Sequence, residues 1–283
     1  MKNNHNSFMN FSMFNRISSL SIKSLLLLAL FSLGSISTTQ AHEPIFGIGP
    51  RTIWQYGVGF EVGLNIQHYT RQALYEMDYH GIYGITADWA VSLSTHQPLN
   101  GHGANGLSFG NLGISSKYRF FRNDVAGGVY HAAVLGGVEL PTGDNNISPN
   151  TTDVFAGLSG AYEGRRWLMF ATGRYRLNTN VNGIERGNAF LYDLALGVRP
   201  VLTDYYEPDV VLMAELNGQV FGANKRNGTV IQNSEGGRLF AGFGAWITYR
   251  NWAVKPGLQV PVVDNIGRES PVPRFTFAVE FHI

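Results

Sequence analysis

Residues 54–67 read Trp-Gln-Tyr-Gly-Val-Gly-Phe-Glu-Val-Gly-Leu-Asn-Ile-Gln, and their parity decides the fold. Every even position is apolar or aromatic: Trp54, Tyr56, Val58, Phe60, Val62, Leu64 and Ile66. Every odd position is polar or glycine. A strand sends successive side chains to opposite faces, so the segment predicts one wholly apolar face and one polar face. It is longer than the roughly five or six residues of a common globular strand and suits a tilted strand crossing a bilayer.

The same alternation recurs to the last residue. Tyr75, Met77 and Tyr79 oppose Glu76, Asp78 and His80, and Trp89, Val91 and Leu93 oppose Ser92, Ser94 and His96. Tyr118 and Phe120 oppose Lys117 and Arg119; Val138 and Leu140 oppose Gly137 and Glu139; Val154 and Leu158 oppose Gly157 and Ser159. In the second half Tyr175 and Leu177 oppose Arg174 and Arg176, and Leu194 and Leu196 oppose Asp193 and Arg199. Leu216 and Val220 oppose Glu215, Leu239 and Phe243 oppose Arg238, and Val254 and Leu258 oppose Lys255. Phe275, Phe277, Val279 and Phe281 close the series against Arg274 and Glu280. About twelve strands result, with their charges on the face opposite the apolar one. A soluble sandwich also alternates, but it turns its polar face outward and uses shorter strands.

The gaps between strands alternate as well, except that the first outer gap, around Tyr69–Gln72, is short. Ala87-Asp88, Glu163–Arg166 and Arg250-Asn251 are tight, and each is followed by tryptophan, at Trp89, Trp167 or Trp252. Gln97–Gly106, Pro141–Asp153, Asn178–Gly187, Gly222–Glu235 and Val263–Pro273 are longer and polar. Outer-membrane barrels have short periplasmic turns, longer outer loops and aromatic girdles at both interfaces. Trp89, Trp167 and Trp252 therefore read as a periplasmic girdle. Open strand edges cannot face lipid, because each unpaired backbone group costs several kcal/mol there, so the sheet must close. The predicted fold is all-β: a closed antiparallel transmembrane β-barrel of about 12 strands with short periplasmic turns and longer outer loops.

Composition narrows the function classes. The 283 residues carry 21 Lys+Arg against 20 Asp+Glu, a balance that gives no electrostatic footprint for nucleic acid. Charged residues are only 14%, against roughly 25% in ordinary soluble domains. There is no Cys, which excludes a disulfide framework, a thiolate metal site and a cysteine nucleophile. Mean hydropathy close to zero is what two opposed faces average to.

The N-terminus reads as an export signal. Lys2, Arg16 and Lys23 precede the apolar run Leu25–Leu33, and Thr39-Gln40-Ala41 offers small residues at the −3 and −1 positions of a cleavage site. The run is too short for the ~20 residues of a membrane-spanning helix. Residues 1–41 are thus expected as a secretory signal peptide, 42–50 as a short periplasmic N-terminal segment and 51–283 as the outer-membrane barrel.

Two segments carry a family resemblance. Gly136-Gly137-Val138-Glu139-Leu140-Pro141-Thr142-Gly143-Asp144 resembles the LPTGD-type segment of outer-membrane transporters grouped under the meta-pathway of phenol degradation. The stretch His42-Glu43-Pro44-Ile45-Phe46-Gly47-Ile48-Gly49-Pro50 is similar to the opening of transporter-like members of that group. The resemblance implies a barrel that moves small, aromatic or hydrophobic molecules; phenol itself is not carried over. The terminal strand resembles the signal read by the barrel assembly machinery, but ends in Ile283 where Phe or Trp is usual.

The charges on the inner face are the candidates for function. Glu61, Glu76, Asp78, Glu139, Asp193 and Glu215 are the acidic pore-lining candidates; Lys117, Arg119, Arg174, Arg176, Arg199, Arg238, Lys255 and Arg274 are the basic ones. Acids lead on the first two strands and bases on the fourth and seventh, roughly across the barrel, a field able to orient a polar solute. The other reading is that these charges pair and fill a narrow interior, since charges removed from bulk water need partners. The sequence leaves both open. It predicts a passive channel for small solutes in outer-membrane lipid. The alternative is a plugged barrel whose outer loops bind a partner. Pro141–Asp153 and Gly222–Glu235 are the loops expected to gate a channel.

The third and weakest reading is an enzyme acting on envelope lipid. The predicted strands hold no His-x-Ser pair, and Gly157-Leu158-Ser159-Gly160 is not a G-x-S-x-G elbow, so Ser159 reads as lumen lining. His80, His96, His131 and His282 lack metal-ligand spacing. No catalytic residue, metal site or cofactor is assigned; His42, as a new N-terminus, is the one position able to chelate Cu(II) through amine and imidazole.

Overall fold

The computed structural model describes residues 43–69, 73–101, 108–148, 151–181, 183–204, 206–266 and 271–283. The expected signal peptide, the cleavage site and His42 lie outside them. Among the described residues there is no helix.

Fifteen strands follow one another: β1 (Val58–His68), β2 (Ala73–Thr86), β3 (Trp89–Pro98), β4 (Leu112–Val125), β5 (Gly128–Leu140), β6 (Asp153–Gly164), β7 (Trp167–Leu177), β8 (Ile184–Glu185), β9 (Ala189–Val198), β10 (Asp209–Phe221), β11 (Lys225–Arg226), β12 (Thr229–Val230), β13 (Gly236–Tyr249), β14 (Trp252–Asp264) and β15 (Arg274–His282). Twelve of them close an antiparallel barrel in the order β1-β15-β14-β13-β10-β9-β7-β6-β5-β4-β3-β2. The remaining three form a small sheet, β12-β11-β8, at the long-loop end. Within the barrel each strand pairs with the barrel strand before and after it in the chain, and the first pairs with the last.

The seam that closes the barrel joins its first and last strands. Phe60 pairs with Phe281 and Glu61 with Glu280, so apolar meets apolar outside and charge meets charge inside. Val58 and Ile283 exchange both main-chain hydrogen bonds, which carries the ladder to the last residue.

Parity assigns the faces. Phe60, Leu93, Tyr118, Leu158, Met169, Leu194, Phe243 and Val262 are exposed on the outer surface, while Asn65, Lys117, Ser159, Thr172, Glu215, Asn217, Gln259 and Thr276 are buried inside. A water-soluble protein would be inverted; this arrangement is that of a lipid-facing barrel. A bulge between Arg119 and Phe121 turns both Phe120 and Phe121 outward.

The first strand begins later than expected. Tyr56 adopts φ of +63°, a left-handed conformation that breaks the extended run, and its N–H donates to Gly84 O at 2.7 Å. Residues 51–57 are therefore not strand, although they share the alternation. Trp54 lies edge-on to His282, with ring centroids 6.1 Å apart.

The two ends differ in their connections. β2–β3, β4–β5, β6–β7 and β13–β14 turn tightly at one end, but on that same side β9 and β10 are separated by a longer stretch, from Val198 to Asp209. Trp89, Trp167 and Trp252 each open a strand at this end. Trp89 and Trp167 are exposed; Trp252 packs on Phe281, with ring centroids 4.4 Å apart.

Candidate functional site

The lumen is not an empty cylinder. Residues 43–53 run inside it from the tight-turn end, whereas the sequence suggests a periplasmic segment over 42–50 and a barrel from 51 onward. Glu215 on β10 explains much of this, because its carboxylate accepts the N–H of Ile45 at 2.6 Å and of Phe46 at 3.1 Å. Ser159 on β6 and Thr172 on β7 both donate to Ile48 O, at 3.2 and 2.5 Å. Glu43 pairs with Lys117 on β4, and Arg51 pairs with Glu163 on β6 at 3.1 Å. Thr52 Oγ1 donates to Ala87 O at 2.7 Å. A segment without secondary structure thus finds partners for its polar groups among lumen side chains.

Phe46 has a prepared seat. A Cβ on Gly242 or Gly257 would lie 2.7 or 2.8 Å from its ring carbons, so only glycine leaves the room on β13 and β14. The Arg274 guanidinium lies 5.6 Å from the ring centroid, a cation–π distance.

Below this segment the lumen is apolar. Ala161, Leu168, Phe170, Ala195, Val211, Met213 and Trp246 form a buried cluster, and Ile45 packs against it. These side chains come from β6, β7, β9, β10 and β13 and fill one side of the barrel near its tight-turn end. The sequence reading missed them as a group. Their signal is a loss of alternation: Trp167-Leu168-Met169-Phe170 and Val210-Val211-Leu212-Met213 are apolar on both faces.

Most of the candidate charges have partners. Lys255 bridges Glu61 and Glu280, each at 2.6 Å, and so spans β14, β1 and β15 beside the closing seam. Arg174 pairs with Asp193 at 2.9 Å, and Asn217 Nδ2 donates to the other oxygen of Asp193. Asp78 accepts from Asn65, Arg238 pairs with Asp264 at 2.9 Å, Arg274 donates to Gln259 Oε1 at 3.1 Å, and Asn111 Nδ2 donates to Glu139 at 3.0 Å. Glu76 sits beside Asp78 on the same face of β2, opposite Asn65.

Two candidates serve a different purpose. Arg119 donates to Asp88 and to Ala87 O, and Arg199 donates to Asp209 and to Gly164 O at 2.9 Å. Both guanidiniums tie tight-turn connections to neighbouring strands, and neither is among the residues lining the two lumen cavities below. Arg199 lies just past the end of β9. Their acceptors, Asp88 and Asp209, escaped notice because both stand at strand boundaries, where parity says nothing.

What remains open is a cavity of about 510 Å³ along the β2–β6 wall. It runs from Asp153, Arg174 and Arg176 at the long-loop end, past Asp78 and His96, to Lys117 and Glu43 near the tight turns. Basic residues of β7 and the acid of β2 thus face one space. A second cavity of about 460 Å³ lies on the long-loop side of Phe46, between Arg238, Arg274, Asp193 and Gln67.

Two of the outer connections are tied down in their described residues. Residues 141–148 clamp the approach to β4: Gly143 N–H donates to Asn111 Oδ1 at 3.0 Å, Leu112 N–H to Thr142 Oγ1 at 2.9 Å and Phe109 N–H to Asp144 Oδ2 at 3.1 Å. Pro141-Thr142-Gly143-Asp144 is therefore a bracket for the start of β4, whose ladder with β3 ends at Ser94–Gly113. In the 222–235 connection, β11 pairs with β8 through Lys225–Glu185 and Arg226–Ile184.

An apolar outer wall, a closed twelve-strand sheet and a charged lumen define an outer-membrane type of β-barrel. No protein-family model matches the sequence, and no curated protein matches it significantly. Among solved structures, the fold is similar to an outer membrane channel from Pseudomonas putida F1, with a TM-score of 0.60 at 14% identity over 83% of this chain and 98% of that one. Weaker likenesses include the KdgM porin in complex with oligogalacturonate (TM-score 0.49, 9% identity, 80% of this chain and 98% of that one). LpxR from Salmonella typhimurium gives a TM-score of 0.38 at 11% identity, over 80% of this chain and 99% of that one. At such identities the likeness is one of fold.

Proposed function

We propose that this protein is an outer-membrane channel for passive passage of small solutes, narrowed by its own residues 43–53. The observation that carries the reading is the cavity of about 510 Å³ that follows the β2–β6 wall beside the inserted segment. Its lining combines Asp78 and His96 with Arg174, Arg176 and Lys117, so solutes pass through a field of mixed sign. Residues 1–41 direct export, the tight turns face the periplasm, Trp89, Trp167 and Trp252 anchor that interface, and the terminal strand is read by the barrel assembly machinery. The LPTGD-type segment and the twelve-strand barrel support placing the chain with the outer-membrane transporters of the phenol meta-pathway group.

Liposome swelling tests this with purified, heat-modifiable protein. Small neutral solutes such as glycerol and arabinose should enter vesicles that contain the protein faster than empty ones. Swelling no faster than in empty vesicles would favour the other reading, in which residues 43–53 and the apolar cluster plug the barrel and the outer loops bind a partner.

A further inference from the structure

One lumen cation is left over by the pairing. Arg174 and Arg176 project from the same face of β7. Arg174 is engaged by Asp193 at 2.9 Å, and nearby Asp153 is engaged by Arg186 at 2.9 Å. Among the described residues Arg176 has no hydrogen-bond or ion-pair partner, and its Nε is buried without an acceptor. A guanidinium keeps its charge and has only donors, so this half-buried fork, turned to the cavity, suits a ligand that supplies acceptors.

Its surroundings are partly apolar. Phe155 on β6 is the cross-strand neighbour of Arg176, and Leu191 on β9 is that of Arg174. The Phe155 ring lies over Gly137, where a side chain would collide with it. The Arg174 stem lies over Gly157, where a Cβ would come within 2.7 Å of its Cγ. The two glycines, on β5 and β6, recess the wall at the height of the arginines. Phe155, Leu191, Arg174 and Arg176 all line the cavity of about 510 Å³, a size typical of small-molecule pockets. Glu139 and Asp153 line it too, but Arg186 holds Asp153 and Asn111 donates to Glu139.

We propose that Arg176 anchors a binding site for a small amphipathic carboxylate on the solute path, with the apolar body against Phe155 and Leu191. The proposal rests on the channel reading for its biological sense. A fully polar anion leaves the two apolar side chains uncovered, and a neutral molecule leaves the guanidinium without an acceptor. Carboxylate geometry matches the planar donor fork of arginine.

The test is direct binding to the full-length protein in nanodiscs, read by isothermal titration with empty nanodiscs subtracted. The probes are hexanoate, 1-hexanol and acetate. Hexanoate should bind at least about tenfold more tightly than either control, and Arg176→Gln should weaken hexanoate about tenfold or more, as loss of a hydrogen bond between charged groups implies. Phe155→Ala should weaken hexanoate and leave acetate unchanged. Heat-modifiable mobility confirms that each variant is folded, and Arg176→Lys, which keeps the charge without the fork, should fall between wild type and Arg176→Gln. Equal hexanoate binding by wild type and Arg176→Gln overturns the site and leaves Arg176 as a counter-charge for Glu139 and Asp153. Equal binding of hexanol overturns it as well. Vesicle swelling without Arg176-dependent binding rejects the site and keeps the channel; binding without swelling does the reverse.

Discussion

The N–H of Ile45 donates to Oε1 of Glu215 at 2.6 Å, a contact between residues 170 positions apart. It fixes the chain that precedes β1 in mid-lumen. With the neighbouring bond from Phe46 it makes Glu215 the main anchor of the inserted segment.

Glu215→Ala should therefore release that segment while leaving the barrel folded. A hydrogen bond to a charged group contributes about 1.5–3 kcal/mol. Hydrogen-exchange protection at the Ile45 and Phe46 amides should fall about tenfold or more, and channel conductance should rise. Unchanged protection at both amides would show that other contacts hold the segment.

Lys255 stands between two carboxylates from the first and last strands, each at 2.6 Å. Lys255→Met leaves Glu61 and Glu280 without their cation and should destabilise the barrel by about 3 kcal/mol. Unfolding in denaturant, followed by heat-modifiable mobility, measures it. Restoring part of the loss with Glu61→Gln and Glu280→Gln in the same chain would assign the effect to the seam; an unshifted midpoint for Lys255→Met alone would refute it.

The arginines divide by position. Arg119 and Arg199 tie turns together, whereas Arg174 faces a cavity. Arg119→Ala and Arg199→Ala should lower the unfolding midpoint and leave ion selectivity unchanged. Arg174→Gln should shift the reversal potential in a salt gradient toward cation preference. A selectivity change in either turn variant would contradict the assignment.

Leu158 points outward in the middle of β6 and is 60% exposed. If that surface is the lipid face, Leu158→Arg should cost about 2–4 kcal/mol of folding free energy in vesicles. Leu158→Ala should cost far less. Equal stability of the two variants would place this surface away from the bilayer core.

Much of the wall was legible in the sequence because parity is a local property. Phe60 and Glu61 announce opposite faces without reference to any distant residue, and their partners Phe281 and Glu280 do the same. Charge pairing across strands was legible only in kind: the need for partners follows from burial, but the choice of Asp193 for Arg174 depends on register. The interior filling was not legible. Residues 45–48 bind through main-chain groups, to a carboxylate and hydroxyls brought close only by barrel closure. Tyr56 kept the strand alternation while its backbone left the strand, since hydrophobic parity does not report φ.

Single-channel recording in planar bilayers tests the central claim, passage of solutes along the β2–β6 wall, most directly. Ser115 lines that cavity and hydrogen-bonds Ser92 across β3 and β4 at 2.6 Å. Wild-type protein should show discrete current steps, and folded Ser115→Trp should reduce the step to about half or less by occupying the path. Steps of equal size in both would place the route elsewhere, and the absence of steps from folded wild-type protein would contradict the channel itself.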